Sequence, residues 1–509
     1  MNENLALNLV HTASARGGRP AVRHGDVAVT YARLADLSAR AARFLRERGI
    51  SPGERVGLML PNLPEFAVGI YGALHAGTIA VPMNVMLKRR EVAFQLRDSG
   101  SRLLLAGRGC AEEAEAGAHE ADAECVVVEA GGGLAELVGD VDPEQRMAEQ
   151  RGSDSAVLLY TSGTTGQPKG AELSHANLRS NASVFRRILD LEPDDVVFGA
   201  LPLFHAFGQT CGLHTSVATG ACLSLMPRFE AGAALELIRR DRVTVFEGVP
   251  TMYAAMLNHP QHGEFQLPSL RLCVSGGAAL PLEIMRSFEA AFGCPILEGY
   301  GLSETAPVAS FNQRDRPRKP GSIGTPIEDV EMRLIDDSGG PVSMGKVGEI
   351  MVRGPNVMKG YWHQPEATAE ALMPDGWLHT GDLARMDEDG FFFIVDRKKD
   401  VIIRGGYNVY SREVEEVLYE HPAVRECAVV RVPHPELGEE VGAAVVLQPG
   451  SSATAAELRN FVRERIAAYK YPRLVWFITE LPKNAQGKIL KREITIPAQS
   501  AATGLPSAL

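Results

Sequence analysis

The sequence predicts an α/β protein with a large N-terminal domain and a small, mobile α+β C-terminal domain. Strand and helix signals alternate between residues 31 and 84 and again after residue 232, which is typical of βαβ units on a mostly parallel sheet. Strand-rich, turn-separated segments follow Gly321, and a smaller α+β pattern begins at Val401. We therefore predict two βαβ-type sheet subdomains, a β-barrel-like subdomain and then the C-terminal domain.

Size and charge limit the class of protein. The chain has 509 residues, too many for one compact core, and its net charge of −11 disfavours general nucleic-acid binding. No apolar run reaches the roughly 18 residues of a membrane helix, and the N-terminal stretch around Glu3 lacks a signal-peptide pattern. The seven cysteines show no C-x-x-C spacing, so we expect reduced thiols and a cytoplasmic protein.

Hydrophobic periodicity predicts the first elements. The apolar residues of "YARLADLSARAARFLRERG" fall on one helical face, and Gly49 is suited to cap its C-terminal end. "RVGLML" is predicted as a buried strand, "EFAVGIYGALHAG" as a helix and "IAVPMN" as another strand. Residues 157–160 are predicted to form a further buried strand, and "HANLRSNASVF" is predicted to begin a helix at His175.

The loop predicted at this strand-to-helix junction, "TSGTTGQPKG", is the first segment with chemical content. Its glycines let the backbone approach a ligand, successive amides can form an anion-binding nest, and Lys169 adds a positive charge. Polyphosphate is the natural partner, although this is not a Walker A sequence, because Gly170 follows the lysine. On these residues alone, a polar surface turn is the alternative.

Three later segments carry single groups suited to nucleotide chemistry. In "LEGYGLSETAP", where a strand is expected to end at Leu297, Tyr300 can present its ring to a base, and Glu304 is an oxygen ligand suited to Mg²⁺. In "GWLHTGDLA", Asp382 is expected just after a strand and can accept two ribose hydroxyls. In "PKNAQGKILKREI", Lys488 is a cation in a loop. Taken singly, each group has a solvated surface residue as its alternative.

The C-terminal region is predicted to form its own domain. "SREVEEVLYEH" and "AAELRNFVRERIAAY" have helical periodicity, and "ECAVVRV", "GAAVVLQ" and "LVWFIT" are typical of strands. The charged turn "DRKKD" precedes them. We predict an N-terminal domain over residues 1–396, a hinge at 397–400, a mobile domain at 401–496 and a disordered tail at 497–509.

Five stretches, in order and over nearly the whole chain, are similar to those of the adenylate-forming superfamily of acyl-CoA synthetases, peptide-synthetase adenylation domains and firefly luciferase. They are "YTSGTTGQPKG", "GYGLSETAP", "GWLHTGDLA", "DRKKDVIIRGGYNVY" and "PKNAQGKILKRE". Within the superfamily the chain resembles fatty-acid–CoA ligases. The resemblance implies ATP, Mg²⁺ and coenzyme A: a carboxylate attacks the α-phosphorus of ATP to give an acyl-adenylate and pyrophosphate, and the CoA thiol then displaces AMP.

The resemblance also implies residue roles. The catalytic residues would be Lys488, Glu304, Thr161 and His205, with Thr161 and Glu304 as metal ligands. The β- and γ-phosphates of ATP would be bound by Thr161, Ser162, Gly163, Thr164, Thr165, Gly166 and Lys169, and the α-phosphate by Ser303, where threonine is commoner in the family. Adenine would be bound by Gly276, Gly277, Ala278, Glu298 and Tyr300, with Gly299 and Gly301 beside that tyrosine, and the ribose by Asp382 and Arg397. The residues of the C-terminal part would be Lys399 at the hinge and Gly405, Gly406 and Asn408 at CoA.

The resemblance further implies a rotation of the C-terminal domain. Lys488 would bridge the substrate carboxylate and the α-phosphate during adenylation. Rotation about Lys399 would then withdraw Lys488 and bring residues 405–408 to the pantetheine arm of CoA. A salt-bridged surface lysine is the alternative for Lys399. His205 matches a ring that gates the acyl pocket in relatives, with a packed core histidine as the alternative.

The pocket walls predict the acid. Gly301 matches the position where relatives acting on acetate have a bulky aromatic residue, and Gly299 stands where enzymes for malonate tend to place an arginine. "HAFGQTCGLHTSV" and "EGVPTMYAAML" are apolar and lack an obvious buried cation. We therefore predict a medium- to long-chain fatty acid in an apolar tunnel, whose depth selects chain length at ~0.8 kcal/mol per buried methylene. An aromatic acid is the alternative.

Other classes stay open at this stage. A carrier protein's phosphopantetheine arm is an alternative acceptor, because the chemistry is the same. The intact Lys488, Glu304 and Asp382 disfavour a regulatory ATP-binding protein without ligase activity, and a P-loop kinase or ATPase would release ADP. The expected partners are a small carboxylic acid, ATP and CoA, with no nucleic acid and no transmembrane segment. A homodimer is a state that the resemblance allows.

Overall fold

A computed structural model describes residues 2–161, 167–314, 316–484 and 487–497. The described residues form four β-sheets with helices packed against them, so the predicted α/β class is confirmed. Three sheets take their strands from the chain before residue 398, and the fourth takes its strands from residue 402 onward. The domain limits and the hinge at residues 397–400 stay predictions, and nearly all of the predicted tail lies outside the described residues.

The largest sheet of the described chain has nine strands. Six neighbouring strands in it are parallel, as the βαβ rhythm predicts. Its strands, in order across the sheet, are Thr325–Pro326, Val308–Phe311, Ile296–Gly301, Leu272–Ser275, Val245–Gly248, Val196–Gly199, Cys222–Leu225, Pro20–His24 and Val27–Thr30. The strand expected to end at Leu297 continues to Gly301, because its last residues pair with Val308–Phe311.

A second sheet has seven strands within the described residues. In order they are Gly360–Tyr361, Lys169–Ser174, Ser155–Thr161, Ile79–Pro82, Arg55–Met59, Leu103–Gly107 and Glu124–Val128. The sequence prediction was wrong about the glycine-rich loop: it joins the antiparallel strands Ser155–Thr161 and Lys169–Ser174 rather than a strand and a helix. The helix begins only afterwards, at His175, with the Ser174 side chain as its N-cap.

The two remaining sheets are smaller. The β-rich region after Gly321 forms a four-stranded antiparallel sheet of Glu331–Ile335, Val347–Arg353, Leu378–Met386 and Phe392–Arg397. The C-terminal sheet is formed by Tyr407–Val409, Ile402–Arg404, Gly438–Leu447, Val424–His434 and Leu474–Phe477. The first two strands of the C-terminal sheet are additions to the predicted elements.

Helices cover the sheets. Tyr31–Glu47 confirms the predicted amphipathic helix, which buries Leu34, Leu37 and Leu45, and Gly49 beyond it has φ +74°. Phe207–His214 is a π-helix. The α-helices are Leu7–Arg16, Tyr31–Glu47, Pro64–Ala76, Arg89–Ser99, Ala111–Glu120, Gly133–Leu137, His175–Ile188, Thr215–Thr219, Ala231–Asp241, Pro250–Leu257, Leu282–Phe292, Pro365–Ala371, Ser411–Tyr419 and Ala455–Arg463. Within the described residues, none of the helices combines the length and apolar character that a membrane span requires.

The C-terminal sheet region contacts the rest of the chain around the predicted hinge. The Asp396 carboxylate accepts hydrogen bonds from the backbone N–H of Ser411 at 2.6 Å and from its hydroxyl at 2.9 Å. Arg412 donates to the carbonyl of Ile394 at 2.9 Å. The backbone N–H of Leu282 donates to Glu416 at 3.4 Å. These contacts fix the orientation in which the loop carrying Lys488 is seen.

Candidate active site

The site forms where parallel strands of the nine-stranded sheet end. Leu272–Ser275 is followed by Gly276, whose N–H donates to the carbonyl of Gly248 at 3.3 Å, and by Gly277 at φ +77°. A Cβ atom on Gly276 would lie 3.0 Å from the ring of Phe207, so the backbone and this ring are in close contact. In open α/β sheets, ligands bind at the carboxyl ends of the strands.

Glu298 provides a buried carboxyl group at this edge. Its side chain accepts a hydrogen bond from the N–H of Gly321 at 2.9 Å, and the residue is 5% exposed. Burial raises the pKa of Glu298 to about 7, because the charged form loses its hydration. Ala278, which directly follows Gly277, is exposed.

Tyr300, Asp382 and Arg397 come together from three strands. The Tyr300 hydroxyl donates to Asp382 Oδ2 at 2.7 Å, and Arg397 Nε lies 3.2 Å from Asp382 Oδ1. Asp382 and Arg397 are also register partners in the four-stranded sheet. Asp382 lies within Leu378–Met386 rather than after a strand, since Cα pairing continues beyond it. The structure therefore brings into contact the residues that the family resemblance assigns to adenine and to ribose.

A second group forms at the base of the glycine-rich loop. Thr161 and Lys169 are register partners in the hairpin, and Thr161 Oγ1 donates to Glu304 Oε1 at 3.4 Å. Tyr361 donates to the same oxygen of Glu304 at 2.9 Å, and Lys169 Nζ lies 5.1 Å from the centre of the Tyr361 ring. The loop residues that lie outside the described part of the chain are Ser162, Gly163, Thr164, Thr165 and Gly166.

The oxygen atoms of Thr161 and Glu304 fit a divalent cation. A carboxylate and a hydroxyl are the hard donors that Mg²⁺ prefers, and Mg²⁺ in nucleotide sites takes few protein ligands beside phosphate and water. Glu304 is presented by the 3₁₀ turn Ser303–Thr305, which also contains Ser303. These residues are therefore suited to hold Mg²⁺ with a nucleotide.

Lys488 is docked against the same region. The carbonyl of the preceding residue, Gly487, accepts a hydrogen bond from the Thr251 hydroxyl at 3.2 Å. Burial, with the charge of Arg397 as the second cause, lowers the pKa of Lys488 to about 8, while the charge of Asp382 opposes the shift. The ammonium group is therefore within electrostatic reach of the group assigned to the ribose.

His205 lies near Lys488 as a neutral ring. Burial lowers the pKa of His205 to about 4, with the Lys488 charge as the second cause. Its Nδ1 accepts a hydrogen bond from the N–H of Phe207 at 3.3 Å, so the proton of the neutral ring is on Nε2. This arrangement places a neutral polar ring just before the π-helix, where the charge of Lys488 acts on it.

The structure corrects the reasoning about Gly299 and Gly301. A Cβ atom on Gly301 would lie 1.8 Å from the carbonyl oxygen of Pro307, and one on Gly299 would lie 2.2 Å from the Phe311 ring. Both glycines are therefore required by close packing in this structure. The absence of side chains at Gly299 and Gly301 therefore gives no information on the width of the acyl pocket. It also does not exclude an acid substrate with a second carboxylate.

The residues assigned to CoA lie on the C-terminal sheet. Gly405 and Gly406 have φ values of +54° and +86° in the turn between Ile402–Arg404 and the strand that contains Asn408. All three are exposed and make none of the contacts described above. Lys399 is exposed, and its backbone carbonyl accepts a hydrogen bond from an arginine of the same region.

Sequence reasoning missed three residues of this region. Tyr361 reaches Glu304 only because its two-residue strand pairs with Lys169–Ser174. Thr251 holds the loop of Lys488, and Glu247 is a buried acid within a segment that was interpreted as apolar. The letter E in "FEGVP" was the one available signal, since an acid inside an apolar strand is unusual.

Comparisons with known proteins agree with this geometry. Residues 9–362 match the family described as AMP-binding enzyme, and residues 413–488 match the AMP-binding enzyme C-terminal domain. A feruloyl-CoA synthase from an Amycolatopsis species is 42% identical, covering 93% of this chain and 95% of the relative. A long-chain-fatty-acid–CoA ligase from Bacillus subtilis is 37% identical, covering 97% and 94%.

Solved structures give the same result. The anthranilate CoA ligase AuaEII, in complex with anthranoyl-AMP, superposes with a TM-score of 0.91 at 31% identity, covering 96% of this chain and 95% of that one. Family match, relatives and fold all extend over most of the sequence. The chain therefore belongs to the AMP-binding enzyme family of adenylate-forming acid–thiol CoA ligases.

Proposed function

We propose that this protein is an ATP-dependent acyl-CoA ligase that makes an acyl-adenylate and passes the acyl group to coenzyme A. The observation that carries the proposal is the hydrogen bond of 3.2 Å from the Thr251 hydroxyl to the carbonyl of Gly487, which holds the loop of Lys488 against the large N-terminal part of the chain, where the charges of Arg397 and Asp382 act on the lysine. A cation at this place can contact both an incoming carboxylate and the α-phosphate.

The first half-reaction requires two anions to meet. The carboxylate and the triphosphate repel each other, and charge builds on the phosphate in the transition state, so positive groups and fixed geometry supply most of the catalysis. Lys488 would bridge the two reactants, and Lys169 would contact the leaving pyrophosphate. Asp382 would hold the ribose hydroxyls while Tyr300 orients the base.

Mg²⁺, when bound, would neutralise phosphate charge. Thr161 and Glu304 would hold it, and Tyr361 would keep the Glu304 carboxylate in place through its hydrogen bond of 2.9 Å. The lowered pKa of His205 keeps its ring uncharged beside Lys488, so it would not compete with the lysine for the substrate carboxylate.

The second half-reaction would use the other face of the C-terminal domain. Rotation about the hinge at Lys399 would exchange Lys488 for Gly405 and Gly406. Their turn has no side chains, so the pantetheine arm could pass close to its backbone. Asn408, two residues further on, would offer an amide to the same arm.

The acid has two candidate classes. A medium- to long-chain fatty acid follows from the apolar segments around the pocket and from the similarity to the Bacillus subtilis ligase. An aryl acid is supported by the similarity to the feruloyl-CoA synthase. The specific observation that favours the aryl acid is the buried carboxyl group of Glu247, a polar group in an otherwise apolar segment that would suit a polar substituent on a ring.

The experiment is a carboxylate-dependent pyrophosphate-release screen with Mg·ATP, with and without CoA. The panel contains short- to long-chain fatty acids, malonate and several aryl acids. Lys488→Ala is the test variant: we expect it to abolish acyl-adenylate formation and to leave thioester formation from synthetic acyl-AMP largely intact. Equal loss of both half-reactions would contradict the role given to this lysine.

Each outcome of the screen has a distinct meaning. Acid-dependent release of pyrophosphate that CoA accelerates supports the ligase, and the best acid identifies the class. Release without stimulation by CoA indicates a carrier-protein acceptor. ADP as the nucleotide product, or no release with any acid, refutes the proposal.

A further inference from the structure

Glu247 is a buried acid with an unused hydrogen-bonding capacity. The residue lies in Val245–Gly248 and is 1% exposed. Its Oε1 atom is buried and has no hydrogen-bond partner among the residues that the structure describes. A buried polar atom without a partner costs free energy, so native structures retain few of them without a reason.

The carboxyl group of Glu247 lies on the face of the sheet that packs against the π-helix Phe207–His214. Side chains alternate along a strand, and the neighbouring Phe246 packs on the opposite face against the rings of Tyr253 and Phe288. On the other face, a Cβ atom placed on Gly212 would lie 3.5 Å from Glu247 Oε2, which is ordinary contact distance. Glycine at 212 therefore leaves a gap of about one methyl group beside the carboxyl.

The π-helix itself carries further unpaired polar atoms. Oε1 of Gln209 and Oγ1 of Thr210 are buried and, within the described chain, have no hydrogen-bond partner. Both residues are fully buried. Stretches of π-helix occur frequently at functional sites. The π-helix that contacts Glu247 therefore carries further buried polar groups.

Two elements connect this region to Lys488. Along the strand, Val249 lies two residues beyond Glu247, about 7 Å, and its Cγ2 would be 3.3 Å from a Cβ atom on Gly487. Along the chain, His205 lies two residues before the π-helix that contains Gly212, and the charge of Lys488 acts on its ring. Both elements that hold Glu247 and its neighbour Gly212 therefore continue to residues beside the loop of Lys488.

We propose that Glu247 determines specificity by hydrogen-bonding a hydroxyl or amino substituent at the far end of an aryl acid. The inference rests on the proposed function, because Lys488 must hold the carboxylate of that acid. Val249, two residues from Glu247, lies against the loop of Lys488, so a compact acid with a ring joined to its carboxylate by a short linker can reach both residues. A long hydrocarbon chain would have to pass the carboxyl group and leave it unpaired.

The protonation state of Glu247 fits this role. Burial raises the pKa of Glu247 to about 8, so the group is a neutral carboxylic acid at pH 7. A neutral carboxyl offers one O–H donor and one C=O acceptor, and a hydroxyl substituent can pair with both. An unsubstituted ring or a methyl end can pair with neither.

The test compares matched acids on matched variants. Pyrophosphate release is measured with 4-hydroxycinnamate against cinnamate and with 10-hydroxydecanoate against decanoate. We expect the wild-type protein to prefer 4-hydroxycinnamate over cinnamate in kcat/KM by about 10- to 100-fold, and to show no such preference within the decanoate pair. Glu247→Leu should abolish or invert the preference, and Glu247→Gln should keep part of it.

Glu65→Gln is the control for loss of a buried acid elsewhere. Glu65 is 4% exposed, and its Oε2 also lacks a partner among the described residues. This variant should keep the wild-type ratio. A wild-type ratio within twofold of one for the cinnamate pair, an unchanged ratio in Glu247→Leu, or a preference confined to 10-hydroxydecanoate overturns the inference. No pyrophosphate release with any acid refutes the proposed function itself, whereas release without discrimination refutes this inference alone.

Discussion

Replacement of Lys488 by arginine tests whether the first half-reaction needs a protonated lysine. Burial, with the charge of Arg397 as the second cause, lowers the pKa of Lys488 to about 8. An arginine side chain stays protonated at every accessible pH. We therefore expect the variant to change the pH dependence of adenylation and not only its rate.

The magnitude follows from the pKa. A lysine with a pKa of about 8 is about 90% protonated at pH 7, half protonated at pH 8 and about 10% protonated at pH 9. The kcat/KM value for ATP reports the free enzyme, so in the wild-type protein it should fall about tenfold per pH unit above pH 8. The kcat value should hold to higher pH, because bound phosphates favour the protonated lysine.

The assay is ATP–pyrophosphate exchange with the best acid, from about pH 6 to about pH 10. Lys488→Arg should be slower but should lose the alkaline fall in kcat/KM. Lys346→Arg, at an exposed lysine, should keep the wild-type profile. An acidic limb near pH 7 from Glu298, whose pKa burial raises to about 7, should be common to all three proteins.

Two results would refute this reasoning. If the alkaline fall near pH 8 persists in Lys488→Arg, another group titrates there. If kcat/KM of the wild-type protein stays flat up to about pH 9.5, the lysine is not required in its protonated form or its pKa is not lowered.

Two further substitutions test the other parts of the site. Asp382→Asn removes the charged acceptor of the Tyr300 hydroxyl, so KM for ATP should rise about 10- to 100-fold in the exchange assay. The control, Asp194→Asn at an exposed ion pair, should leave KM unchanged. An unchanged KM in Asp382→Asn would exclude Asp382 from nucleotide binding. Gly406→Leu should leave adenylation within about twofold and lower thioester formation at least about tenfold. Gly450→Leu is the control, because Gly450 has a left-handed φ of +77°, similar to the +86° of Gly406, and this variant should spare both steps. If Gly406→Leu also loses adenylation, the assignment of the two half-reactions to two faces of the C-terminal domain is contradicted.

Much of the local structure could be predicted from the sequence. The helix Tyr31–Glu47 needs only its own periodic apolar residues, and Gly49 beyond it adopts the left-handed conformation that glycine favours. Tyr300, Glu304 and Asp382 also stood out, because each lies in a short segment whose composition suits a nucleotide. Such signals depend on residues close together in the chain, which one sequence displays directly.

Strand pairing and burial were decided by the tertiary structure. Lys169–Ser174 was missed as a strand because its pairing with Ser155–Thr161 is what makes it one. The pairing of Gly360–Tyr361 with the other edge of Lys169–Ser174 then brings Tyr361 to the candidate metal site. Gly301 was interpreted from the side chain it lacks, but the carbonyl of Pro307, which the fold places against it, leaves no room for one.

The sequence by itself therefore determined the family, the fold class and the chemical groups available for adenylation. Only the tertiary structure decided which of these groups meet and in what environment. The pKa values of Lys488 and Glu298 move because burial removes water from their charged forms, and burial is produced by distant segments packing together. Glu247 shows the same limit: one acidic letter in an apolar strand acquires a candidate role only when the fold places Gly212 and the π-helix over it.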